Sequence, residues 1–294
     1  MQTSNPEWTE VSSGMWELPV PKSYLIDNQE EARWLFFDQE PVMRVKQISV
    51  KSGHKTRPIF APDDFSKSLY RQRLKELYTI FSEIESQTVS YGFVPQRSVV
   101  DQAKCHIGYQ YTISLDIRDF FDSIRPKLVK GLIPNEMISM LFIDGAPRQG
   151  LPTSPIVANI AFDKIDREII EFLLSIEGLS HTSKWFLGPL PFTYTRYADD
   201  LSISLNENSI ANRVINGIQR ILLKYGFELH PNKTKVLSAH NGRRVICGVG
   251  VDKKEIYPTR KTLRKVRAAT HQSNFHSLLG LRSWVSSIEK KQSI

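Results

Sequence analysis

The chain has 294 residues, with 39 Lys or Arg, 31 Asp or Glu and a formal net charge of +8. It is long enough for a large hydrophobic core and two or three subdomains, it contains no apolar run that could span a bilayer, and no secretory signal is evident. Two cysteines are too few for a disulfide framework or a zinc site, so we expect a reduced, cytoplasmic protein without a membrane partner.

The first part of the chain predicts a helix, a hairpin and a second helix. Residues 1–40 carry three tryptophans among scattered acids, which we interpret as an N-terminal helical lead-in. Residues 45–62 alternate polar and apolar side chains on both sides of Ser52-Gly53, a pattern typical of a β-hairpin. Residues 66–84 place apolar side chains at helical spacing and predict an amphipathic helix.

The next strand-like segment carries acidic residues. Tyr, Thr and Ile precede Asp116, which lies inside an apolar run. An Asp buried in such a run must pair with a positive charge or bind a metal ion. The alternative is that Asp116 is a salt-bridge partner and that Asp119 and Asp122 are turn or cap residues.

Residues 155–176 predict another amphipathic helix, begun near Pro155, and residues 194–204 predict a hairpin with adjacent acids at its turn. Such acids are costly unless a positive partner holds them, and a divalent cation suits their hard oxygen atoms. Two-metal phosphoryl transfer would use Asp116 and Asp199 together if a sheet placed their strands side by side. The alternative is a solvated turn.

Positive charge is concentrated near the end of the chain. Residues 243–294 contain twelve Lys or Arg and three Asp or Glu. This concentration is typical of proteins that bind a phosphate backbone, with a solvated tail as the alternative. Thr259 could cap a helix with a broad basic stripe, and a further helix is predicted over residues 278–288, with Trp284 as its packing anchor.

Five segments, in a fixed order, resemble a known family. Residues 115–121 (LDIRDFF), 148–155 (RQGLPTSP) and 197–200 (YADD) resemble three successive signature motifs of reverse transcriptases. Residues 226–235 and 245–249 resemble the next motif of that family and its primer-gripping hairpin.

The resemblance covers roughly residues 40–270 and implies an α+β fold with the right-hand architecture of polymerases. Residues 1–110 would form the lead-in and the fingers. Residues 111–251 would form the palm, an antiparallel sheet with helices, with residues 125–150 contributing to the fingers. Residues 252–294 would form a short, basic, helical thumb.

Within that family, residues 91–106 resemble a segment of bacterial retron reverse transcriptases, with two departures from their signatures. Gln102 stands where Asn is expected, and Ile246-Cys247-Gly248 stands where Val-Thr-Gly is expected. The resemblance implies an enzyme that copies its own structured noncoding RNA into single-stranded DNA. It also implies priming from an internal guanosine 2′-hydroxyl, a branched RNA–DNA product, and anti-phage defence with a separate effector protein.

The resemblance assigns catalytic roles. Asp116, Asp199 and Asp200, helped by the backbone carbonyl of Ile117, would hold two Mg²⁺ ions, for which Mn²⁺ could substitute. Lys233 would protonate the pyrophosphate leaving group, with Lys235 as a rival for that role.

Substrate contacts are implied in the same way. Arg57, assisted by Lys55, would meet the triphosphate of the incoming deoxynucleotide. Phe121 would be a steric gate against the 2′-hydroxyl, unless it is a core residue as Phe120 is expected to be. Gln149 would touch the nucleotide or the template.

The residues expected to contact RNA lie in the retron signatures and in the basic helix, although His106 could equally be a core histidine. They are Gln102, His106, Ile246, Cys247, Gly248, Arg260, Lys261, Arg264, Lys265 and Arg267.

Two alternatives stay open. The chain could be a different bacterial defence reverse transcriptase, such as an abortive-infection type. A group II intron relative is disfavoured because little chain follows the thumb, which also leaves template removal to a host ribonuclease H. The chain could instead be a catalytically silent RNA-binding scaffold, against which the intact acids Asp116, Asp199 and Asp200 argue.

Overall fold

A computed structural model of the chain describes residues 6–20, 41–52, 55–176 and 191–292. These residues divide into two compact units, each made from two separate stretches of chain. The first unit contains residues up to 87 and residues 119–163, and the second contains residues 88–118 and those from 164 onward.

The strands of the described residues are β1 (Thr9–Ser12), β2 (Met15–Pro19), β3 (Val42–Ser52), β4 (Lys55–Pro62), β5 (Tyr111–Asp116), β6 (Phe192–Tyr197), β7 (Asp200–Leu205), β8 (Lys235–Ser238), β9 (Arg244–Ile246), β10 (Val249–Val251) and β11 (Ile256–Pro258). The α-helices are α1 (Asp64–Glu83), α2 (Val99–Lys104), α3 (Phe120–Ser123), α4 (Asn135–Leu141), α5 (Ser154–Ala161), α6 (Asp163–Ser175), α7 (Ala211–Tyr225), α8 (Arg260–His271) and α9 (Phe275–Gln292). Helices and antiparallel strands are intermixed, so the α+β class is confirmed.

The first unit contains a four-stranded antiparallel sheet in the order β1-β2-β3-β4. The predicted hairpin is confirmed, since β3 and β4 pair from Val45↔Pro62 to Ser52↔Lys55. The predicted helical lead-in is wrong for β1 and β2. Gly14, with a φ of 72°, forms the turn between them, and β2 pairs with the edge of β3. Residues 21–40, which include Trp34, lie outside the described residues.

The first helix of this unit, α1, is confirmed. Asp63 caps it by accepting a hydrogen bond from Ser66 N–H at 2.8 Å. Its buried face includes Leu69, Tyr70 and Leu77, and the Tyr70 hydroxyl donates to the Met140 carbonyl.

The predicted single helix over residues 155–176 is wrong, because the chain forms α5 and α6 with Phe162 between them. Phe162 N–H donates back to the carbonyls of Ala158 and Asn159, which closes α5.

The second unit is built on an antiparallel sheet in the order β6-β7-β5-β8. β5 is an interior strand, and its Ile113 and Leu115 are fully buried. A smaller sheet, β11-β10-β9, follows. Val249 and Val251 of this sheet pack in one apolar cluster with Val100 of α2 and Ile288 of α9.

The two predicted helices at the end of the chain are confirmed. Thr259 caps α8 by accepting a hydrogen bond from Thr262 N–H at 3.2 Å. Trp284 of α9 packs against the apolar cluster, as expected for an anchor. None of the helices in the described ranges is both long and apolar enough to cross a membrane.

Replacing Gly217 by Ala is expected to destabilise the second unit. A Cβ at Gly217 in α7 would lie 1.9 Å from the Phe172 Cζ in α6, so the helices would have to separate or the ring would have to move. We expect the free energy of unfolding to fall by about 1–3 kcal/mol, measured by urea denaturation.

Gly280→Ala provides the matched control, since a Cβ at this exposed position of α9 meets no atom within 4 Å. Ala is the better helix former, so this variant should be unchanged or more stable by up to about 1 kcal/mol. Equal losses for both variants would contradict the packing explanation.

Candidate active site

The strand register brings the acidic residues together. β5 and β7 are antiparallel neighbours, and Asp116 lies directly opposite Asp200. Ile117 N–H donates to the Asp199 carbonyl at 3.0 Å, which ties the turn before β7 to the end of β5. Residues more than eighty positions apart in the chain therefore share one end of the sheet, as the two-metal hypothesis required.

The turn that carries Asp199 packs against the segment around Gly92. Ala198 has a φ of 54°, an uncommon backbone conformation for a residue with a side chain. Tyr91 N–H donates to the Arg196 carbonyl at 2.8 Å, so the segment around Gly92 packs against the turn. A Cβ at Gly92 would lie 2.6 Å from Ala198 N, so this position needs glycine.

A buried ion pair also supports the turn. The side chains of Arg196 and Asp166 are fully buried, and the Arg196 Nε and Nη2 atoms donate to the Asp166 carboxylate at 2.8–3.1 Å. The Tyr194 hydroxyl donates to the same carboxylate at 2.6 Å, and Arg196 Nη1 lies 3.5 Å from the Ala198 carbonyl oxygen. Burial would lower the pKa of Arg196, but Asp166 raises it, so the Arg196 guanidinium stays charged.

Sequence reasoning missed this pair. The available signals were an Arg inside the apolar alternation that precedes the paired acids, and an Asp inside the apolar helix pattern of α6. Removing one partner of such a buried pair costs about 3–5 kcal/mol in other proteins, because the remaining charge is left without compensation.

The three carboxylates repel each other. The pKa of Asp200 is raised to about 6, first by burial and then by the negative charges of Asp199 and Asp116. Lys233 acts in the opposite direction. A cation placed among these groups would relieve the repulsion.

Lys233 contacts the site directly. Its Nζ atom donates to both carboxylate oxygens of Asp116, each at 2.8 Å. His230 N–H donates to the Asp116 carbonyl at 2.7 Å, which fixes the turn that presents Lys233. Lys233 and its rival Lys235, at the start of β8, are both exposed, and the contact with Asp116 makes Lys233 the better placed of the two.

The donor chemistry of this site fits a hard divalent cation, because it supplies carboxylate oxygens from acids whose negative charges repel each other. Among the described residues, however, no three His, Cys, Asp or Glu side chains already surround a common metal position. Magnesium therefore remains a proposal that rests on the clustered charges of Asp116, Asp199 and Asp200.

Two predicted RNA contacts are wrong. Gln102 and His106 are fully buried, because both reach inward to the Thr195 hydroxyl, at 3.1 Å from Gln102 Nε2 and 2.7 Å from His106 Nε2. His106 Nδ1 lies 2.8 Å from the Ser204 hydroxyl. Burial, and then the charge of Arg244, lower the pKa of His106 to about 3, so it is a neutral core histidine.

The hairpin predicted over residues 245–251 exists as β9 and β10, and its role in holding the primer stays a prediction. Cys247 and Gly248 form its two-residue turn with φ values of 43° and 86°, the backbone sign that such hairpins require. The side chain of Ile246 is buried in the apolar cluster, so the prediction that this side chain contacts RNA is wrong.

Arg244 belongs to the basic region of the sequence, but its side chain is structural. It is fully buried and donates to the Thr112 hydroxyl at 2.9 Å and to the His106 carbonyl at 2.8 Å. Lys291 is likewise occupied, because it pairs with Asp101 of α2. By contrast, the predicted basic stripe of α8 is exposed at all its positions, which are Arg260, Lys261, Arg264, Lys265 and Arg267.

The predicted nucleotide contacts lie in the first unit. Arg57 is exposed on β4, and the side chain of Lys55 lies outside what the structure describes. Gln149 is exposed, and its carbonyl accepts from Phe60 N–H at 2.8 Å, which docks this loop on β4. A Cβ at Gly150 would lie 2.5 Å from the Phe60 carbonyl oxygen, so glycine permits this close approach.

The two adjacent aromatic residues of α3 differ in exposure. Phe120 is buried with its ring 5.2 Å from that of Phe162, as expected of a core residue. Phe121 is half-buried and keeps part of its surface accessible.

Comparison with known proteins identifies relatives. The family model described as reverse transcriptase (RNA-dependent DNA polymerase) matches residues 50–280. The retron Mx65 reverse transcriptase of Myxococcus xanthus is 30% identical over 243 residues, which cover 74% of this chain and 52% of that protein. The retron Ec86 reverse transcriptase of Escherichia coli is 24% identical over 278 residues, which cover 89% of this chain and 81% of that protein. The chain thus spans about half the length of the Mx65 enzyme and most of the Ec86 enzyme.

Solved structures share the fold. Apo telomerase from Candida tropicalis, truncated from its C-terminal domain, aligns with a TM-score of 0.53 and 13% identity over 73% of this chain and 55% of that one. The foamy viral protease-reverse transcriptase in complex with double-stranded DNA aligns with a TM-score of 0.50 and 14% identity over 82% of this chain and 35% of that one. At these identities the likeness supports a shared polymerase fold alone.

Asp200→Asn is expected to be more stable than the natural chain at neutral pH. The pKa of Asp200 is raised from 3.8 to about 6 in the folded protein. The unfolded chain therefore releases this proton at lower pH, and stability is lost as the pH rises from the ordinary pKa through the raised one. The difference in stability between Asp200→Asn and the natural chain should grow as the pH rises through that interval and should vanish below it.

Thermal unfolding in EDTA-containing buffer from pH 4 to pH 8 measures this effect. Asp64→Asn, at an exposed position in the first turn of α1, serves as the control, and because its carboxylate interacts favourably with the helix N-terminus this variant should not be more stable than the natural chain. A stabilisation of Asp200→Asn that does not change with pH would refute the electrostatic origin.

Proposed function

Because the chain belongs to the reverse transcriptase (RNA-dependent DNA polymerase) family, we propose that it is a nucleotidyltransferase that extends a DNA strand on an RNA template. One observation supports this more than any other. Asp116 lies opposite Asp200, with the Asp199 turn hydrogen bonded to the end of the same strand. Such a cluster of carboxylates from separate strands suits two-metal phosphoryl transfer.

The acids and Lys233 have distinct proposed tasks. Asp116 and Asp199, with the Ile117 carbonyl, would hold Mg²⁺, and Asp200 would support the site at the primer end. Bound Mg²⁺ would neutralise charge on the phosphates and favour attack by the primer hydroxyl. Lys233 would donate a proton to the departing pyrophosphate, a task suited to its contact with Asp116 at 2.8 Å.

The nucleotide contacts remain proposals too. Arg57 and Lys55 would bind the triphosphate, Gln149 would touch the nucleotide or template, and Phe121 would exclude the ribose 2′-hydroxyl. The hydrogen bond between the Gln149 carbonyl and Phe60 N–H of β4 supports a shared nucleotide-binding role for Gln149 and Arg57, which lies on the same strand. We retain the division into fingers, palm and thumb as part of this proposal.

We further propose retron-type activity on a cognate structured RNA, with a branched RNA–DNA product and a role in anti-phage defence. The named retron relatives support this subclass. The exposed basic face of α8 supports RNA binding, because structured RNA is recognised mainly through phosphates, 2′-hydroxyls and shape. In this proposal the protein is cytoplasmic, a separate effector protein takes part in defence, and host ribonuclease H removes the template.

Asp199→Ala is expected to abolish DNA synthesis while leaving folding and RNA binding intact. Primer extension on a poly-A template, with and without Mg²⁺, should fall by about 10³-fold or more, which corresponds to roughly 4 kcal/mol of transition-state stabilisation. Glu171→Ala, at an exposed acid of α6, should retain full activity. An active Asp199→Ala variant would refute the site, and an inactive natural chain that still binds RNA would favour the scaffold hypothesis.

Phe121→Ala is expected to raise ribonucleotide incorporation. If the ring lies beneath the sugar, removing it abolishes the clash with a 2′-hydroxyl, and selectivity should fall by about 10- to 200-fold. Competition between dNTPs and rNTPs in primer extension measures this ratio, and Phe121→Tyr, which keeps the ring, should retain selectivity. Unchanged selectivity in Phe121→Ala would mean that the residue is only part of the core.

A further inference from the structure

Arg148 connects three parts of the first unit through its guanidinium. Its Nη1 atom donates to Asp122 Oδ1 of α3 at 2.8 Å. Its Nη2 atom donates to Asp144 Oδ2 at 2.6 Å and to the Asp144 carbonyl at 3.0 Å, and its Nε atom donates to the Ile143 carbonyl at 2.9 Å. The guanidinium also lies over the Phe60 ring of β4, 5.3 Å from the ring centroid. One side chain therefore joins α3, the turn after α4 and β4.

These contacts specify geometry more than they add stability. The side chain of Arg148 keeps 15% of its surface exposed, whereas those of Asp122 and Asp144 keep 51% and 67%. Ion pairs with such exposed acids add little to the free energy of unfolding, because water screens them. The planar fork of an arginine, however, fixes the directions of its hydrogen bonds and so sets the relative position of the groups that accept them.

The helix α3 depends on such contacts for its position. It is a single turn of four residues, and its N-cap side chain makes no capping hydrogen bond. A helix this short is not stable by itself in water, so other elements must place it. Phe120 provides an apolar contact with Phe162, and Asp122 provides a polar contact with Arg148. Phe121 lies between these two contacts in the chain.

Arg148 also begins the loop that carries Gln149. The Gln149 carbonyl accepts from Phe60 N–H at 2.8 Å, and the Arg148 carbonyl accepts from the Ser154 hydroxyl of α5 at 2.7 Å. Gly150 follows with a φ of 109°, a conformation that glycine adopts readily. The loop is thus held at its backbone by β4 and α5, and the Arg148 side chain adds the link to α3.

We propose that Arg148 is a positioning residue for nucleotide selection, which ties the helix of Phe121 to the loop of Gln149. This inference rests on the proposed function, which assigns those two residues to the incoming nucleotide. Arg148 acts through its neighbours, since its guanidinium is engaged with two carboxylates and an aromatic ring. When this link is broken, α3 and the loop keep their other contacts but lose their fixed relative position.

The variant R148K tests the proposal, because Lys keeps the positive charge but lacks the fork that reaches several acceptors at once. On a poly-A template we expect KM for dTTP to rise and selectivity for dTTP over UTP to fall, each by about 3- to 30-fold, less than the roughly 100-fold loss that a 1 Å misplacement can cause. The value of kcat for dTTP should change little. A loss of folded protein alone would lower the apparent kcat and leave KM and selectivity unchanged.

Two acids separate the link to α3 from contacts within the loop. D122N removes the negative charge on α3, and it should lower selectivity in the same direction as R148K. The double variant R148K/D122N should lose no more than R148K alone, as expected when two changes remove one contact. D144N alters an acceptor in the same loop as Arg148, where the Asp144 carbonyl remains available, so selectivity should stay within about two-fold of the natural chain. R71K makes the same chemical change at an exposed position of α1 and should alter neither KM nor selectivity.

Amide hydrogen exchange reports on the loop without relying on DNA synthesis. Phe60 N–H is protected by its hydrogen bond to the Gln149 carbonyl, so this amide should exchange faster in R148K than in the natural chain and in R71K. The amide of Leu77, in the buried face of α1, should exchange at the same rate in all three proteins. Equal acceleration of both amides in R148K would show a purely structural role and would overturn the proposal.

The remaining outcomes distinguish this role from the polymerase assignment. In an active enzyme, unchanged KM and selectivity of R148K overturn the role of Arg148 and leave the polymerase function standing. Faster exchange at Phe60 without a change in KM or selectivity also overturns the role, because the loop would then move without affecting nucleotide choice. A natural chain that makes no DNA overturns the polymerase function and this role together.

Discussion

The candidate site depends on repulsion among carboxylates that the backbone prevents from separating. The antiparallel register holds Asp116 opposite Asp200, and the hydrogen bond from Ile117 N–H holds the Asp199 turn beside them. The acids cannot move apart without breaking strand pairs, so their electrostatic energy is relieved by protonation or by a positive charge. Lys233 supplies such a charge, and the pKa of Asp200 is nevertheless raised, first by burial and then by the two neighbouring carboxylates.

The second unit supports this crowded site with two buried arginines that are hydrogen bonded in different ways. Arg196 donates to a carboxylate on α6, which compensates its charge. Arg244 donates to hydroxyl and carbonyl oxygens, and burial lowers its pKa. Buried polar groups of this kind add little net stability, but once their hydrogen bonds are made they permit few alternative arrangements. A site that must hold like charges close together needs that restriction more than it needs added stability.

Local patterns were sufficient to predict the hairpin of β3 and β4, the helix α1, the acidic strands and the cap of α8. They failed where the deciding contact lies far away in the chain. Gln102 looks like a surface polar residue, and the choice between a surface and a core His106 stays open, until Thr195 and Ser204, some ninety positions later, are folded beside them. Arg244 lies in the basic region of the sequence, and only its partner Thr112, 132 positions away, reveals that its side chain is buried. The short strands β1 and β2, by contrast, carry a local signal, the Ser13-Gly14 turn, which is of the same kind as Ser52-Gly53, and the edge of β3 then pairs with β2.

Building each unit from two separate stretches has a consequence for synthesis on the ribosome. The first unit is incomplete until residue 163 has been added, by which time residues 88–118 already exist without most of their own unit. Among them is β5, an interior strand of the finished sheet, which must wait first for β7 and then for β8. Until both arrive, both of its edges are open to wrong pairing in the nascent chain. Aggregation during rapid overexpression, rather than instability of the finished fold, is therefore the hazard that this connectivity creates.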